Sequence, residues 1–218
     1  AADSSGNISE ISDSLSITID TLLPSIPIIT TTETSTNDST PTIEGVAEAG
    51  SIVTLFVDGT ITEVTTTADS TGAFAITMPE KTDGTYDLTF TARDGAGNIS
   101  SESSVFSLTV DTIAPSEPSI TTTTSLTDDS TPTIEGVAEA GSTVTLFVDG
   151  VTTGVTATAD ETTGAFTIDA PSQEDGTYAL TVTATDAAGN ISSVSSALSL
   201  TISSVISTAI STEIETFN

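Results

Sequence analysis

Apolar and polar residues alternate with a period of two over most of the chain. In "TYDLTFTARD" (85–94), Tyr86, Leu88, Phe90 and Ala92 fall on one side, and Asp87, Thr89, Thr91 and Arg93 on the other. That is the pattern of a half-buried β-strand. "TYALTVTATD" repeats the inward set as Tyr178, Leu180, Val182 and Ala184. "STVTLFVDG" does so with Val144, Leu146 and Val148, "GAFTIDAP" with Phe166, Ile168 and Ala170, and "FSLTV" with Phe106, Leu108 and Val110. Thr and Ser fill the outward positions, and Thr suits a strand. Asp-Gly and Gly-Asn close the segments at "VDG", "DGT", "DGAGN" and "DAAGN". No segment sustains a helical period. In "TIEGVAEAG" the inward phase shifts between Ile43 and Val46, which predicts a bulge at Gly45.

These segments occur twice. "DSTPTIEGVAEAGSIVTLFVDG" (38–59) and "DSTPTIEGVAEAGSTVTLFVDG" (129–150) differ only at Ile52 against Thr143. Asp20 aligns with Asp111 and Asp58 with Asp149, a period of 91 residues. One residue is gained in "TADETT" relative to "TADST", after which Phe74 matches Phe166, Tyr86 matches Tyr178 and Asn98 matches Asn190. The period is too long for a solenoid unit. It fits an independent sandwich, and about seven short strands per period predict an Ig-like one, all-β and repeated in tandem as an elongated array. The Tyr after "DGT" sits where a tyrosine corner would stand. "DSSGNISEISDSLSITIDT" (3–21) aligns with "DGAGNISSESSVFSLTVDT" (94–112). Residues 1–20 therefore read as the last strand of a preceding repeat, 21–111 as the first whole repeat, 112–203 as the second, and 204–218 as a tail.

Charge narrows the function. Thirty-one acids face two bases, Lys81 and Arg93, for a net charge of −29. Such a chain has nothing to neutralise phosphates, so neither nucleic acid nor an anionic membrane surface is an expected partner. Without Cys or His there is no thiol chemistry, no disulfide, no Cys/His zinc site and no Ser-His-Asp arrangement. The patterned 36% of apolar residues argues for a folded chain despite the charge.

With "VDTIAPSEPSI", "STPTIEGVAEAGSTVTLFVDG", "TGAF" and "DGTYALTVTATDAAGNIS" in order, the chain resembles the tandem bacterial Ig-like domains of giant surface adhesins and biofilm-associated proteins. The resemblance spans both repeats and rests on D-T-x-x-P, "TPTIEG", "VTLFVDG" and D-x-A-G-N. It implies a non-catalytic stalk of stacked domains at the cell surface, outside the cell, often stiffened by calcium between neighbours. Its partners would be neighbouring repeats of the same polypeptide, with a host or surface ligand engaged through other domains. The second repeat departs from the pattern in "LSLTISS", where Ser203 replaces the Asp of positions 20 and 111.

An up-and-down path through a sandwich brings several acids to one pole: linker Asp20 or Asp111, Glu48 or Glu139 of "EAG", and Asp94 or Asp186 of D-x-A-G-N. Hard oxygen ligands suit Ca²⁺, which takes six to eight of them. Backbone carbonyls, Asn98 or Asn190, and the acids Asp38, Asp58 and Asp83 at the opposite pole of the preceding domain are candidates to complete the shell. The competing reading is that each Asp makes a turn by capping its own backbone. There is no EF-hand loop and no nonapeptide calcium repeat. A carboxylate pair also suits a glycosidase, but these acids fall on turns, with no Trp and two Tyr to stack a sugar. Lys81 as an isopeptide donor lacks a counterpart, since Gln173 stands near its place. The "NIS" and "NDS" glycosylation patterns read as turns. Two further readings stand beside the stalk: a glycan- or protein-binding module, which needs exposed aromatic residues, and a filament subunit completed by strand exchange through "SDSLSITID".

Overall fold

The computed structural model describes residues 1–205. Sixteen strands fall into two sets of eight. The first set is β1 (Ile28–Ile29), β2 (Ser35–Thr36), β3 (Thr42–Val46), β4 (Ile52–Val57), β5 (Thr60–Thr67), β6 (Ala73–Thr77), β7 (Gly84–Arg93) and β8 (Phe106–Val110). The second is β9 (Ser119–Ile120), β10 (Leu126–Thr127), β11 (Thr133–Val137), β12 (Thr143–Val148), β13 (Val151–Thr158), β14 (Ala165–Asp169), β15 (Gly176–Thr185) and β16 (Leu198–Ile202). Each set makes a three-stranded sheet (β1-β3-β6; β9-β11-β14) and a five-stranded sheet (β2-β8-β7-β4-β5; β10-β16-β15-β12-β13). The expected all-β, Ig-like sandwich is thus present twice. Proximity alone would cut the chain into 1–31, 43–76 and 89–105 against the remainder. That cut severs β3, β6 and β7, so the hydrogen-bonded sheets define the domains.

Eight strands replace the predicted seven because the first is split. β1 runs antiparallel to β3 in the small sheet, while β2 runs parallel to β8 in the large one. β9 and β10 do the same against β11 and β16. A chain that crosses between sheets within a few residues leaves no trace in the alternation of its side chains.

The inward faces are those read from the sequence. Ile134, Val144, Leu146, Phe166, Ile168, Leu180, Val182 and Leu200 form the buried core of the second sandwich. In the first, Ile43, Val53, Leu55, Ile76, Leu88, Leu108 and Val110 are buried, and the rings of Phe74 and Phe90 meet at 5.7 Å. Burying each such side chain is worth about 1.5–3 kcal/mol. Tyr86 Oη donates to the Thr82 carbonyl at 2.8 Å and Tyr178 Oη to the Glu174 carbonyl at 3.1 Å, so both tyrosine corners are formed. In "VDG", Asp58 and Gly59 have φ of 51° and 70°, and Asp149 and Gly150 of 50° and 77°. Two consecutive positive φ angles match the twist of the flanking strands in a two-residue hairpin.

The predicted bulge at Gly45 is not there. Ile43, Gly45 and Ala47 all face inward and Gly45 pairs in register with Ile29, and in the second repeat β11 pairs with β14 through Gly136 without a register shift. Glycine is needed for another reason, close approach. A Cβ on Gly45 would stand 2.6 Å from the Ile28 carbonyl oxygen and closer still to the Phe74 ring. Gly136 lies likewise under Phe166 and against the Ser119 carbonyl. The register shifts occur instead between Thr54 and Phe56 and between Thr145 and Phe147. There Thr62 Oγ1 donates to the Leu55 carbonyl at 2.7 Å and Thr153 Oγ1 to the Leu146 carbonyl at 2.8 Å.

Residues 12–20, aligned in sequence with β8, pair with no strand among the described residues, and Leu15, Ile17 and Ile19 are exposed. Both sandwiches already hold their own strand at that position. Of the tail, 206–218 lie outside the described residues.

Gly136→Ala should therefore destabilise the second sandwich by about 1–3 kcal/mol, the usual cost of overpacking. Urea unfolding followed on Tyr178 checks this, and an unchanged midpoint would refute the close-approach account of this glycine.

Candidate functional site: the turns at the linkers

β7 has ten residues and β8 only five. Their ladder covers Gly84–Leu88 against Val110–Phe106, which leaves the second half of β7 without that neighbour. Serines take its place. Ser100 N donates to the Ala92 carbonyl at 2.9 Å, and Ser100 Oγ accepts from Ala92 N at 2.9 Å. Ser103 does the same for Phe90, with Phe90 N 3.1 Å from Ser103 Oγ. Each hydroxyl hands its own proton to the next residue's carbonyl, Ser101 or Ser104. Ser192 and Ser195 serve Ala184 and Val182 identically. All four serines are buried. Sequence reasoning passed over them. The available signal was an S-x-x-S spacing after "NI" at Ser9/Ser12, Ser100/Ser103 and Ser192/Ser195.

Just before these serines lies the D-x-A-G-N turn. Asp94 Oδ1 accepts from the amides of Ala96, Gly97 and Asn98 at 2.7–2.9 Å, and Oδ2 accepts from Asn98 Nδ2 at 2.7 Å. Asp186 Oδ1 accepts from Ala188 N and Asn190 N, both at 2.9 Å, and its Oδ2 from Asn190 Nδ2 at 2.8 Å. "DSSGN" at the start makes the same turn, Asp3 accepting from Ser5 N, Asn7 N and Asn7 Nδ2. These are aspartates capping their own backbone, which closes a tight turn.

The asparagine has a second donor. Asn98 Nδ2 reaches the Asp20 carbonyl at 3.1 Å, and Asn190 Nδ2 the Asp111 carbonyl at 2.8 Å. The linker carboxylates themselves turn back on the chain, Asp20 Oδ1 accepting from Leu22 N and Asp111 Oδ1 from Ile113 N, both at 3.0 Å. Past the linker Asp, Thr112 N and Thr112 Oγ1 both donate to Asp83 Oδ1 at 2.9 Å. Ser204 N donates to Asp175 Oδ1 at 2.9 Å and Ser204 Oγ to Asp175 Oδ2 at 2.8 Å.

The bacterial Ig-like domain model matches residues 29–112 and again 114–204. The chain belongs to that family. Its two bacterial Ig-like domains are similar to part of Exoglucanase B of Cellulomonas fimi, 33% identical over 217 residues, covering 91% of this chain and 19% of that one. The chain thus spans about a fifth of that relative's length. Among solved structures, the fibronectin(III)-like modules of Clostridium thermocellum CbhA are similar, with a TM-score of 0.55 at 17% identity, covering 81% of this chain and 94% of theirs. A marsupial T cell receptor gives 0.52 at 7% identity, covering 81% and 72%. At these identities the likeness is one of fold. The BSP domain of a biofilm-associated protein matches at 23% identity with a TM-score of 0.34, covering 83% of this chain and 30% of that one.

Of the acids expected to converge in the Ig-like domains, Asp186 and Asp111 are joined only through Asn190, by way of a backbone carbonyl. Asp94 and Asp20 are joined through Asn98 in the same way. Asp38 caps Thr40, with Oδ1 2.8 Å from Thr40 N. Asp58 sits at the hairpin turn, and Glu48 and Glu139 are exposed on theirs. Among the described residues no three Asp or Glu side chains come together as a metal would require. The oxygens of Asp94 and Asp186 are already engaged by amides, so this set does not fit the calcium that the resemblance implies. Asn98 and Asn190, with Ser100 and Ser192, are the "NIS" positions, and their hydrogen bonds fit the turn reading of those triplets.

The turns leave a mark on acidity. Asn98's side-chain amide holds the Asp94 carboxyl below its ordinary value; burial opposes this more than any one backbone amide of 96–98 assists it, and the amides add to the lowering. Asn7 does this for Asp3, and Thr71 and Thr163 for Asp69 and Asp160.

A carboxyl lowered by folding adds stability that is complete above about pH 4 and is lost as the pH falls through the folded value. The gap in melting temperature between the native chain and Asp94→Asn should accordingly be widest near neutrality and close toward about pH 2. Charge repulsion, which also changes with pH, is nearly common to both proteins and cancels in the difference. A gap that stays constant with pH would count against the assignment. Separately, Ser195→Ala should cost about 1–3 kcal/mol, since it strands the buried Val182 amide. Urea denaturation measures it, with exposed Ser193→Ala as the silent control.

Proposed function

We propose that the chain is a non-catalytic extender segment of an extracellular, cell-surface protein, holding other domains apart. The observation that carries this is the internal use of its polar chemistry, repeated in both domains. The Asp, Asn and Ser clusters cap turns, replace a missing ladder and anchor linkers. Aromatic residues follow suit. Phe74, Phe90 and Phe166 are buried, and Phe56, Phe106 and Phe147 are half-buried, so among the described residues no phenylalanine is fully exposed as a stacking platform for a sugar. A spacer needs length and repetition, which near-identical repeats supply. Its partners are then the neighbouring repeats, and any host or surface ligand is met by other domains.

The similarity to a fifth of Exoglucanase B favours one variant of this reading, a spacer beside a catalytic domain instead of beneath an adhesive tip. The geometry is common to both. Strand exchange finds less support, since each large sheet already holds its own last strand, β8 or β16. The reading does not draw on calcium, because among the described residues no three acids come together to hold an ion.

Two measurements on the intact chain test it. A glycan array and immobilised matrix proteins should give no saturable binding; saturable binding would replace the spacer by a binding module. Melting temperature and small-angle scattering should be the same in EGTA and in millimolar CaCl₂. A calcium-dependent rise in both would restore the ion to the joints.

A further inference from the structure

We propose that consecutive sandwiches are joined by an asparagine amide on a backbone carbonyl of the linker, and that the Ser203 carbonyl is a docking point for the D-x-x-G-N turn of a further sandwich. The inference rests on the tandem reading of the chain and adds the chemistry of its joint.

The same device is built twice within the chain. Asn98 holds the Asp20 carbonyl, and Asn190 the Asp111 carbonyl. Asn190 is 9% exposed, and both its amide hydrogens are placed, one on Asp186 Oδ2 and one on the linker. The Asp111 carbonyl is in turn held from both sides by its own sandwich. Before it, Asp111 N donates to the Thr36 carbonyl at 3.0 Å; after it, Thr112 is pinned to Asp83. The peptide group between those anchors has no freedom to turn its oxygen away.

Ser203 has the same two anchors. Ser203 N donates to the Thr127 carbonyl at 2.9 Å, and Ser204 is pinned to Asp175 through both its amide and its hydroxyl. A joint built on a cation would lose a ligand when Asp is replaced by Ser at this position. A joint built on the backbone oxygen loses nothing, because the linker carboxylate contributes only an intrachain cap on the residue two further on. The departure of "LSLTISS" from the repeat pattern therefore leaves the docking point intact. Its partner is defined by chemistry: a turn whose aspartate orients an asparagine amide outward, on this polypeptide or another. Asn7, held by Asp3 in that turn, shows the donor half formed at the other end of the chain.

The test transplants the exit of the second repeat into the first joint. Asp111→Ser/Thr112→Ser gives residues 111–112 the sequence of 203–204. NMR in EGTA reads the through-hydrogen-bond coupling from Asn190 Nδ2 to the Asp111 carbonyl carbon, and residual dipolar couplings read whether the two sandwiches share one alignment. The coupling is sought first in the unsubstituted chain, so the test does not hang on a variant's folding. The proposal expects the coupling and a common alignment in both the native chain and the double variant. In Asn190→Ala it expects about a five-fold rise in the undocked population, equivalent to about 1 kcal/mol. Asn98→Ala, which damages the same kind of turn in the other sandwich, should leave the 111 joint unmoved. Absence of the coupling in the native chain overturns the proposal. So does its loss in the double variant, or an undocked population in Asn190→Ala no larger than in the native chain. Failure of the spacer reading would show as ligand binding on the array and would leave these couplings as they are.

Discussion

Backbone amides that lose their strand partner inside a sandwich have to find an oxygen elsewhere, and most of the irregular structure here follows from that requirement. β7 and β15 are twice as long as β8 and β16. The amides of Phe90, Ala92, Val182 and Ala184 lie beyond the last ladder pair and are shut off from water. Four serine hydroxyls meet them. Because each serine also donates its own amide to the strand, the segment after the turn is held on the sheet at two points three residues apart. The turn must then end at a fixed distance from the strand, and an aspartate capping the amides of 96–98, or of 188 and 190, sets that distance. The asparagine closing the turn is thereby aimed at the linker. Ladder, serine bridge, aspartate cap and linker contact form one chain of causes.

The acidity of the chain becomes intelligible in the same terms. Two cations cannot pair with thirty-one acids. A carboxylate can instead be stabilised by several amide dipoles, which lower its proton affinity as a neighbouring cation would. Asp3, Asp69, Asp94 and Asp160 are stabilised in this way, each by a side-chain donor and neighbouring amides. Acids placed at turns therefore do structural work locally.

The sheets were legible because strand side chains alternate whatever their neighbours are. Val144, Leu146, Phe166, Ile168, Leu180 and Val182 could be placed inward from their spacing alone, and the tyrosine corners from one residue after "DGT". Four features were not legible, for related reasons. The split of the first strand changes which sheet the chain joins and leaves the residue pattern alone. The glycine at 45 and 136 answers to a Phe ring some thirty residues away, so its local phase mimicked a bulge. At the linker, charge drew attention to Asp111 and Asp186 as a ligand pair. The atom that matters on Asp111 is its carbonyl oxygen, which every residue type carries and no letter marks. Ser100, Ser103, Ser192 and Ser195 were hidden in a Ser-rich stretch for the same reason: their task is to imitate backbone.

A joint of this kind suits so acidic a chain. At physiological salt, repulsion between exposed charges is screened beyond roughly 8 Å, so the net charge pushes neighbouring surfaces apart mainly where they come within that distance. The contact at the linker lies within this range, and it has to hold without adding charge of its own. An amide donating to a peptide oxygen does this. It is neutral on both sides and indifferent to the residue supplying the oxygen. It is also positioned by groups that the fold already requires for other ends. Substitution at the linker side chain is then free, whereas Asn190 carries the restriction, tied at once to the turn that orients it and to the carbonyl that it holds.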